Sequence, residues 1–122
     1  GGWNAIQIVH HVADSHMNAY IRLKLALTED QPRISPYDEK RWAELPDVNL
    51  VPLNVSITLL HALHRRWSVL LESLTEQDLE RSYFHPESNE YVPIWKMTSH
   101  YNWHGTHHAE QIIALRKRMG WR

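Results

Sequence analysis

The chain has 122 residues, with 13 basic and 14 acidic side chains, ten histidines and no cysteine. This length suits one domain around one buried core, so we treat residues 1–122 as a single domain. The balanced charge argues against a nucleic-acid partner, no apolar run reaches the roughly 18 residues of a membrane span, and the lack of cysteine excludes disulfides and thiolate ligands and is typical of a cytoplasmic protein.

The first predicted element is a long helix over about residues 4–28, with Asn4 as its candidate N-cap. Its apolar stripe is wide, so we expect burial on most sides. The following residues 29–53 contain four prolines and predict a loop that lies against the rest of the protein, with a short helical turn near residues 38–44. The stripe of the first helix consists of Ile6, Val9, Ala13, Met17, Tyr20 and Ile21.

A second long helix is predicted from residue 55 or 56 to residue 74, capped by Asn54 or Ser56. Thr75 then opens a capping-box sequence, which predicts a short helix to about residue 81. Residues 82–91 predict a turn between two short extended pieces. The tryptophans at helical spacing are interpreted as packing residues, and they are Trp3, Trp67, Trp95 and Trp103.

A last helix is predicted over residues 93–119, and it carries a cluster of histidines. His104 and His108 are four residues apart, so they lie one turn apart on one face and can bind the same ion. His100 and His107 belong to the same cluster, but the spacing assigns them no role.

The first helix contributes a second cluster, formed by His10, His11 and His16. Neighbours on a helix point about 100° apart, so at most one of His10 and His11 faces the same point as the C-terminal pair. We choose His11, because it lies between core positions and the polar Ser15. Three histidines from two helices would leave a coordination position open for water or substrate, as catalytic metal sites do. Asp14, one turn after His11, is a candidate to orient a ligand or to act as a base.

Each of these features has a plainer interpretation. Most helical histidines are ordinary polar residues with satisfied hydrogen bonds, and Asp14 could be a solvent-facing or capping aspartate. A metal could also hold the helices together without catalysis, with His107 or His16 filling the fourth position. The competing hypotheses are therefore an enzyme and a metal-stabilised binding or interaction module.

The chain resembles the YfiT-like branch of the DinB/YfiT superfamily along almost all of its length. The resemblance is carried by the glycine-rich start, the first helix, two short motifs in the proline-rich loop, part of the second helix and the C-terminal histidine cluster. These segments are Gly1–Trp3, Ile8–Lys24, Tyr37–Glu39, Trp42–Leu45, Leu63–Trp67, Tyr101–His108 and Arg118–Trp121.

The resemblance implies an all-α four-helix bundle with a divalent metal, zinc or nickel, on three histidines. Matched by motif, the ligands are His11, His104 and His108. It implies a metal-dependent hydrolase, or a transferase of low-molecular-weight thiols such as bacillithiol, acting on a small molecule as a cytoplasmic homodimer. Family members have a helix before the glycine-rich start, so we expect the bundle to lack its N-terminal helix here. They also carry a histidine near position 111, where this chain has Gln111.

Overall fold

The computed structural model of the protein describes residues 3–99. Helices dominate the described part, as predicted, and the two long helices pack against each other. Residues 94–99 are also helical, and the rest of the predicted last helix lies outside the described residues. The elements in chain order are α1 (Ala5–Thr28), α2 (Glu39–Ala43), α3 (Pro46–Leu50), α4 (Leu53–Glu72), α5 (Glu76–Leu79), β1 (Ser82–His85) and β2 (Glu90–Pro93).

Helix α1 begins as predicted, with Asn4 as its N-cap. The Asn4 side-chain oxygen accepts a hydrogen bond from the Gln7 amide at 2.8 Å, and the Gln7 side chain accepts one from the Asn4 amide at 3.1 Å. This reciprocal pair satisfies two amides that the helix itself leaves without partners. The expected burial on most sides is wrong at two positions of the predicted stripe, because Ile6 is 40% exposed and Ile21 is 56% exposed.

Arg81 binds the far end of α1. Its Nε donates to the Ala26 carbonyl at 2.8 Å, and its Nη2 donates to the Glu29 carbonyl at 3.1 Å. The last turn of α1 has no basic residue of its own. Arg81 therefore supplies the positive charge that suits a helix C-terminus and ties this end of α1 to the start of β1.

The proline-rich segment is more ordered than the sequence suggests. Helix α2 is the predicted turn, and the Asp38 side chain caps it by accepting from the Arg41 amide. The sequence pattern does not predict helix α3, because proline breaks the interior of a helix. Pro46 instead occupies the first turn, where proline needs no hydrogen-bond partner. Nearer its start, the segment is joined to β1, since the Ile34 amide donates to the Phe84 carbonyl at 3.0 Å.

Helix α4 begins at Leu53, two or three residues earlier than predicted, and its predicted cap is wrong. The residue at the cap position is Pro52, which has no side-chain hydrogen bond. Ser56 lies inside the helix, where its hydroxyl is bonded to a residue of α1 instead. The capping box at Thr75 is confirmed, although α5 ends at Leu79.

The two extended pieces predicted near residues 82–91 are confirmed as an antiparallel hairpin. Ser82 pairs with Pro93 and His85 with Glu90, so β2 includes the proline that was expected to open the last helix. Asn89 adopts a left-handed backbone conformation with φ 54° in the turn, which asparagine tolerates better than most residues.

The larger apolar cluster of the described residues lies around the C-terminal half of α1. It joins that half to α4, the hairpin and residues 94–97, and Trp67 is buried in it as expected, whereas Trp95 is 46% exposed. Its buried members are Ala19, Tyr20, Leu23, Ala26, Ile34, Leu63, Trp67, Tyr83, Ile94 and Met97. A smaller cluster around the N-terminal half of α1 consists of Val12, Ala13 and Leu60. No helix within residues 3–99 is long and apolar enough to cross a membrane.

Candidate metal centre

The predicted ligands His104 and His108 lie outside the described residues, as do His100 and His107. Within residues 3–99, no group of three or more histidine, aspartate or glutamate side chains is arranged to hold a metal ion. The three-histidine site therefore stays a prediction, and the structure bears on it through helix α1, which carries His11 and Asp14.

His11 is partly buried near the N-terminal end of α1. The indole of Trp3 packs against its imidazole, with ring centroids 4.6 Å apart and the planes tilted by 60°. Trp3 is thus a packing residue, as predicted, and the ring it contacts is the predicted metal ligand. Because Trp3 precedes α1, this contact restricts the orientation of the imidazole at the N-terminal end of the helix.

The neighbouring His10 is buried and has both ring nitrogens engaged. Its Nε2 lies 3.1 Å from the Val51 carbonyl, and its Nδ1 lies 2.6 Å from the Ser56 hydroxyl. A carbonyl can only accept, so Nε2 carries the hydrogen, and Nδ1 of the neutral ring accepts from Ser56. His10 would have to lose one of these bonds to bind a metal, which leaves His11 as the better candidate of the adjacent pair.

Asp14 lies one turn beyond His11 on α1 and is also partly buried. Burial raises the pKa of its carboxyl above the ordinary 3.8, and the negative charge of Asp47 adds to this, while His10 opposes it. No lysine or arginine within residues 3–99 forms an ion pair with it. A partly buried carboxyl with a raised pKa is typical of groups that transfer protons.

His16 lies deeper in the protein and contacts α4. Its Nδ1 is 2.7 Å from Nε2 of His64, and the His16 ring meets the edge of Trp67 with centroids 5.9 Å apart. Burial lowers the pKa of His64 below its ordinary 6.5, and the nearby His61 lowers it further. The structure thus pairs His16 with His64, a residue that the sequence gave no reason to associate with it.

The sequence also missed the partnership of His10 and Ser56. Both residues lie on the buried sides of their helices, but they are 46 positions apart in the chain. Only the packing of α1 against α4 brings them together, so no local pattern identifies the pair. The sequence offers one weak indication of the pair, which is that His10 and Ser56 occupy positions along the apolar stripes of their helices.

The chemistry of the predicted donors fits a divalent transition metal. All three are imidazoles, which suit zinc and nickel, and the chain contains no thiolate that would compete for the ion. His11 is partly exposed, and Asp14, one turn further along α1, forms no ion pair with another residue of 3–99. These observations agree with a metal ligand and an adjacent proton-transferring group.

Comparison with known proteins identifies the family. The sequence pattern of the DinB superfamily matches residues 1–112. A protein of Oceanobacillus iheyensis named "putative metal-dependent hydrolase" is 55% identical over 121 residues, which are 99% of this chain and 69% of that protein. A Bacillus cereus protein of the same name is 54% identical over 121 residues, with the same coverage of both chains.

A solved structure shares the fold. YfiT from Bacillus subtilis, described as "a probable metal-dependent hydrolase with an unusual four-helix bundle topology", superposes with a TM-score of 0.88 at 48% sequence identity. The match covers 100% of this chain and 70% of YfiT, and it confirms the predicted fold class. The chain therefore belongs to the DinB superfamily and to its YfiT-like branch.

Proposed function

We propose that the protein is a metal-dependent hydrolase in which His11, His104 and His108 hold a divalent metal, zinc or nickel. The observation that carries the proposal is the bonding of His10, the neighbour of His11 on α1. His10 uses both ring nitrogens within residues 3–99, and only one of two adjacent rings on a helix can face the C-terminal histidines, so we assign the ligand role to His11. The names of the relatives that are 55% and 54% identical support hydrolysis as the reaction.

A divalent metal on three imidazoles supplies Lewis acidity, which lowers the pKa of a coordinated water or thiol. Asp14 would receive or return the proton at its carboxylate oxygen. Its raised pKa brings the group closer to neutral pH, where proton transfer in both directions is most effective. Trp3 would hold the His11 ring in place through the tilted contact between the two rings.

Transfer of a low-molecular-weight thiol is the second reaction that the family resemblance implies. The same three histidines and Asp14 would serve it, with a thiol in place of water. Hydrolysis is the first candidate because the relatives are named as metal-dependent hydrolases. A small-molecule substrate, a homodimeric assembly and a cytoplasmic location belong to the proposal as further expectations from the resemblance.

Metal analysis of the purified protein tests the site. We expect about one metal ion per chain, as a single three-histidine site requires. Substitution of His11, His104 or His108 by alanine should abolish binding, whereas His61→Ala, which removes an exposed histidine of α4, should leave it unchanged. Equal metal content in His11→Ala and the parent protein would refute the assignment of His11.

An activity screen then separates the reactions. The metal-loaded protein is tested with esters and amides and, in parallel, with a low-molecular-weight thiol and electrophiles. Loss of hydrolysis in His11→Ala and a changed pH profile in Asp14→Asn would support the proposal. If the protein transfers thiols but does not hydrolyse esters or amides, the proposed reaction is wrong and the proposed metal site is retained. Metal binding with neither activity would favour a metal-stabilised bundle without catalysis.

A further inference from the structure

His10 joins three elements at the end of α1 that carries His11. Its ring bonds to Val51, immediately after α3, and to Ser56, in the first turns of α4. We propose that His10 is a positioning residue, which fixes the rotation of α1 about its axis and thereby the direction of the His11 imidazole. This inference rests on the proposed function, because the direction of His11 matters only if His11 binds a metal.

The two hydrogen bonds restrain rotation because they leave the ring in different directions. Nε2–H donates to a backbone carbonyl, which belongs to the main chain and cannot follow a turning side chain. Nδ1 accepts from a hydroxyl on another helix, 46 residues away in sequence. A ring held at both nitrogens cannot turn with α1 without breaking one bond and leaving a buried polar atom without its partner, which is costly.

The geometry of a helix converts this restraint into a position for His11. Adjacent side chains are about 100° apart on the helix, so fixing the azimuth of His10 fixes that of His11 as well. Side-chain tips lie about 6 Å from the axis, so a rotation of about 10° moves a tip by about 1 Å. Metal–ligand distances tolerate only about 0.2 Å, so a small rotation would remove His11 from a shared ion.

Among residues 3–99, apolar packing is less extensive at this end of the helix. The larger cluster contacts the C-terminal half of α1, whereas the described packing beside His11 consists of the cluster of Val12, Ala13 and Leu60 and the buried Val9. Apolar contacts are non-directional and resist sliding or rotation weakly compared with a pair of hydrogen bonds. A further polar link, from the Gln7 side chain to the Ala43 carbonyl, is long at 3.4 Å. Within the described part of the chain, His10 therefore provides the strongest directional restraint on rotation at this end of α1.

The hydrogen-bonded pair of His10 and Ser56 is called the anchor of α1. The test compares metal binding in variants of this anchor with metal binding in matched controls. Ser56→Ala removes one hydroxyl and keeps the helix intact, while His10→Ala removes both bonds. Exposed His61 provides the control His61→Ala, and Leu63→Val provides a control that weakens the core without touching the anchor. Affinity for Zn²⁺ is measured by competition with a chromophoric chelator, thermal stability is measured on the metal-free protein, and the absorption spectrum of bound Co²⁺ reports ligand geometry.

We expect His10→Ala to weaken Zn²⁺ binding by about 10–100-fold, the range for residues that orient metal ligands, and Ser56→Ala to weaken it by a smaller factor. Both should alter the Co²⁺ spectrum. Leu63→Val should lower thermal stability while leaving affinity and spectrum unchanged, which separates positioning from a general loss of stability. If His10→Ala does not fold, Ser56→Ala alone carries the test.

The possible failures can be told apart. If the parent protein binds Zn²⁺ and His11→Ala does not, but both anchor variants match the parent in affinity and Co²⁺ spectrum, the proposed function stands and the positioning role is refuted. If the parent binds neither Zn²⁺ nor Co²⁺, the proposed function fails, and the positioning role fails with it. Equal weakening in Leu63→Val and the anchor variants would also refute positioning.

Discussion

The histidine pair between α1 and α4 makes a quantitative prediction about stability. Nδ1 of His16 and Nε2 of His64 are 2.7 Å apart, and the ring centroids are 4.9 Å apart. That centroid distance nearly equals the nitrogen separation plus the radius of each ring, so the two rings point at each other along one line. This geometry is that of an N–H···N hydrogen bond, in which one ring donates and the other accepts.

The perturbation is a double-mutant cycle with His16→Ala, His64→Ala and the double variant. Because His16 is only 3% exposed, removing His64 leaves a buried nitrogen without this partner, at a cost of about 1–3 kcal/mol in the free energy of unfolding. A loss of 1 kcal/mol lowers Tm by about 4 °C in a domain of this size. The cycle removes the energies of the other contacts that each ring makes. The remaining coupling energy between His16 and His64 should be about 1 kcal/mol.

The pH dependence of the cycle has a definite sign. Burial, with help from the charge of His61, lowers the pKa of His64 below its ordinary 6.5, so the folded protein binds a proton there less readily than the unfolded chain. The contribution of His64 to stability is complete when the pH is well above 6.5, and it is lost as the pH falls from 6.5 through the folded-state pKa. The difference in stability between the parent and His64→Ala should therefore shrink in acid.

Urea unfolding of the four proteins at about pH 8 and about pH 5.5 measures both effects. The reasoning would be refuted by a coupling below about 0.3 kcal/mol at the higher pH, the level at which independent substitutions are simply additive. It would equally be refuted if the stability difference between the parent and His64→Ala grew in acid.

Three further substitutions test other features. Asp14→Asn should raise the urea midpoint of the metal-free protein at neutral pH, because the raised pKa of Asp14 means that its ionised form destabilises the fold. This gain in stability should vanish as the pH falls towards 3.8. An unchanged midpoint at neutral pH would contradict the prediction. Leu23→Ala, at a fully buried position, should cost about 2–5 kcal/mol by urea unfolding, and a cost under about 1 kcal/mol would contradict the core assignment. Asn4→Ala should cost about 1 kcal/mol through loss of the capping box, as measured by Tm, whereas Asn4→Ser should retain most of it.

The parts of the fold that depend on local rules could be predicted from the sequence. Apolar spacing located α1 and α4, and the caps at Asn4 and Thr75 follow from side chains that bond to amides three residues away. Predictions failed where distant partners decide the outcome. Ser56 resembles a helix cap until the packing of α1 supplies His10, and Ile21 has the spacing of a core residue but lies on an exposed side of the helix.

The candidate site likewise has features that local rules predict and features that depend on distant residues. Helical geometry alone shows that only one of His10 and His11 can face the C-terminal histidines. The structure gives a reason to prefer His11, because contacts from Val51 and Ser56 use the nitrogens of His10, and both residues belong to other parts of the chain. The sequence could propose Asp14 from its position, but its raised pKa depends on burial and on Asp47.

The hairpin of β1 and β2 also has a practical consequence for engineering. Its four paired positions hold Ser82 opposite Pro93, and the amide of Ile94 donates to the Arg81 carbonyl, so the start of the following helix is set at the open end of the hairpin. Residues 86–89 form the turn at the opposite, closed end, and we expect a flexible insertion there to leave these contacts in place. An epitope or a fluorescent label inserted there would report on the protein while leaving the phase of the next helix, and the histidines it is predicted to carry, undisturbed.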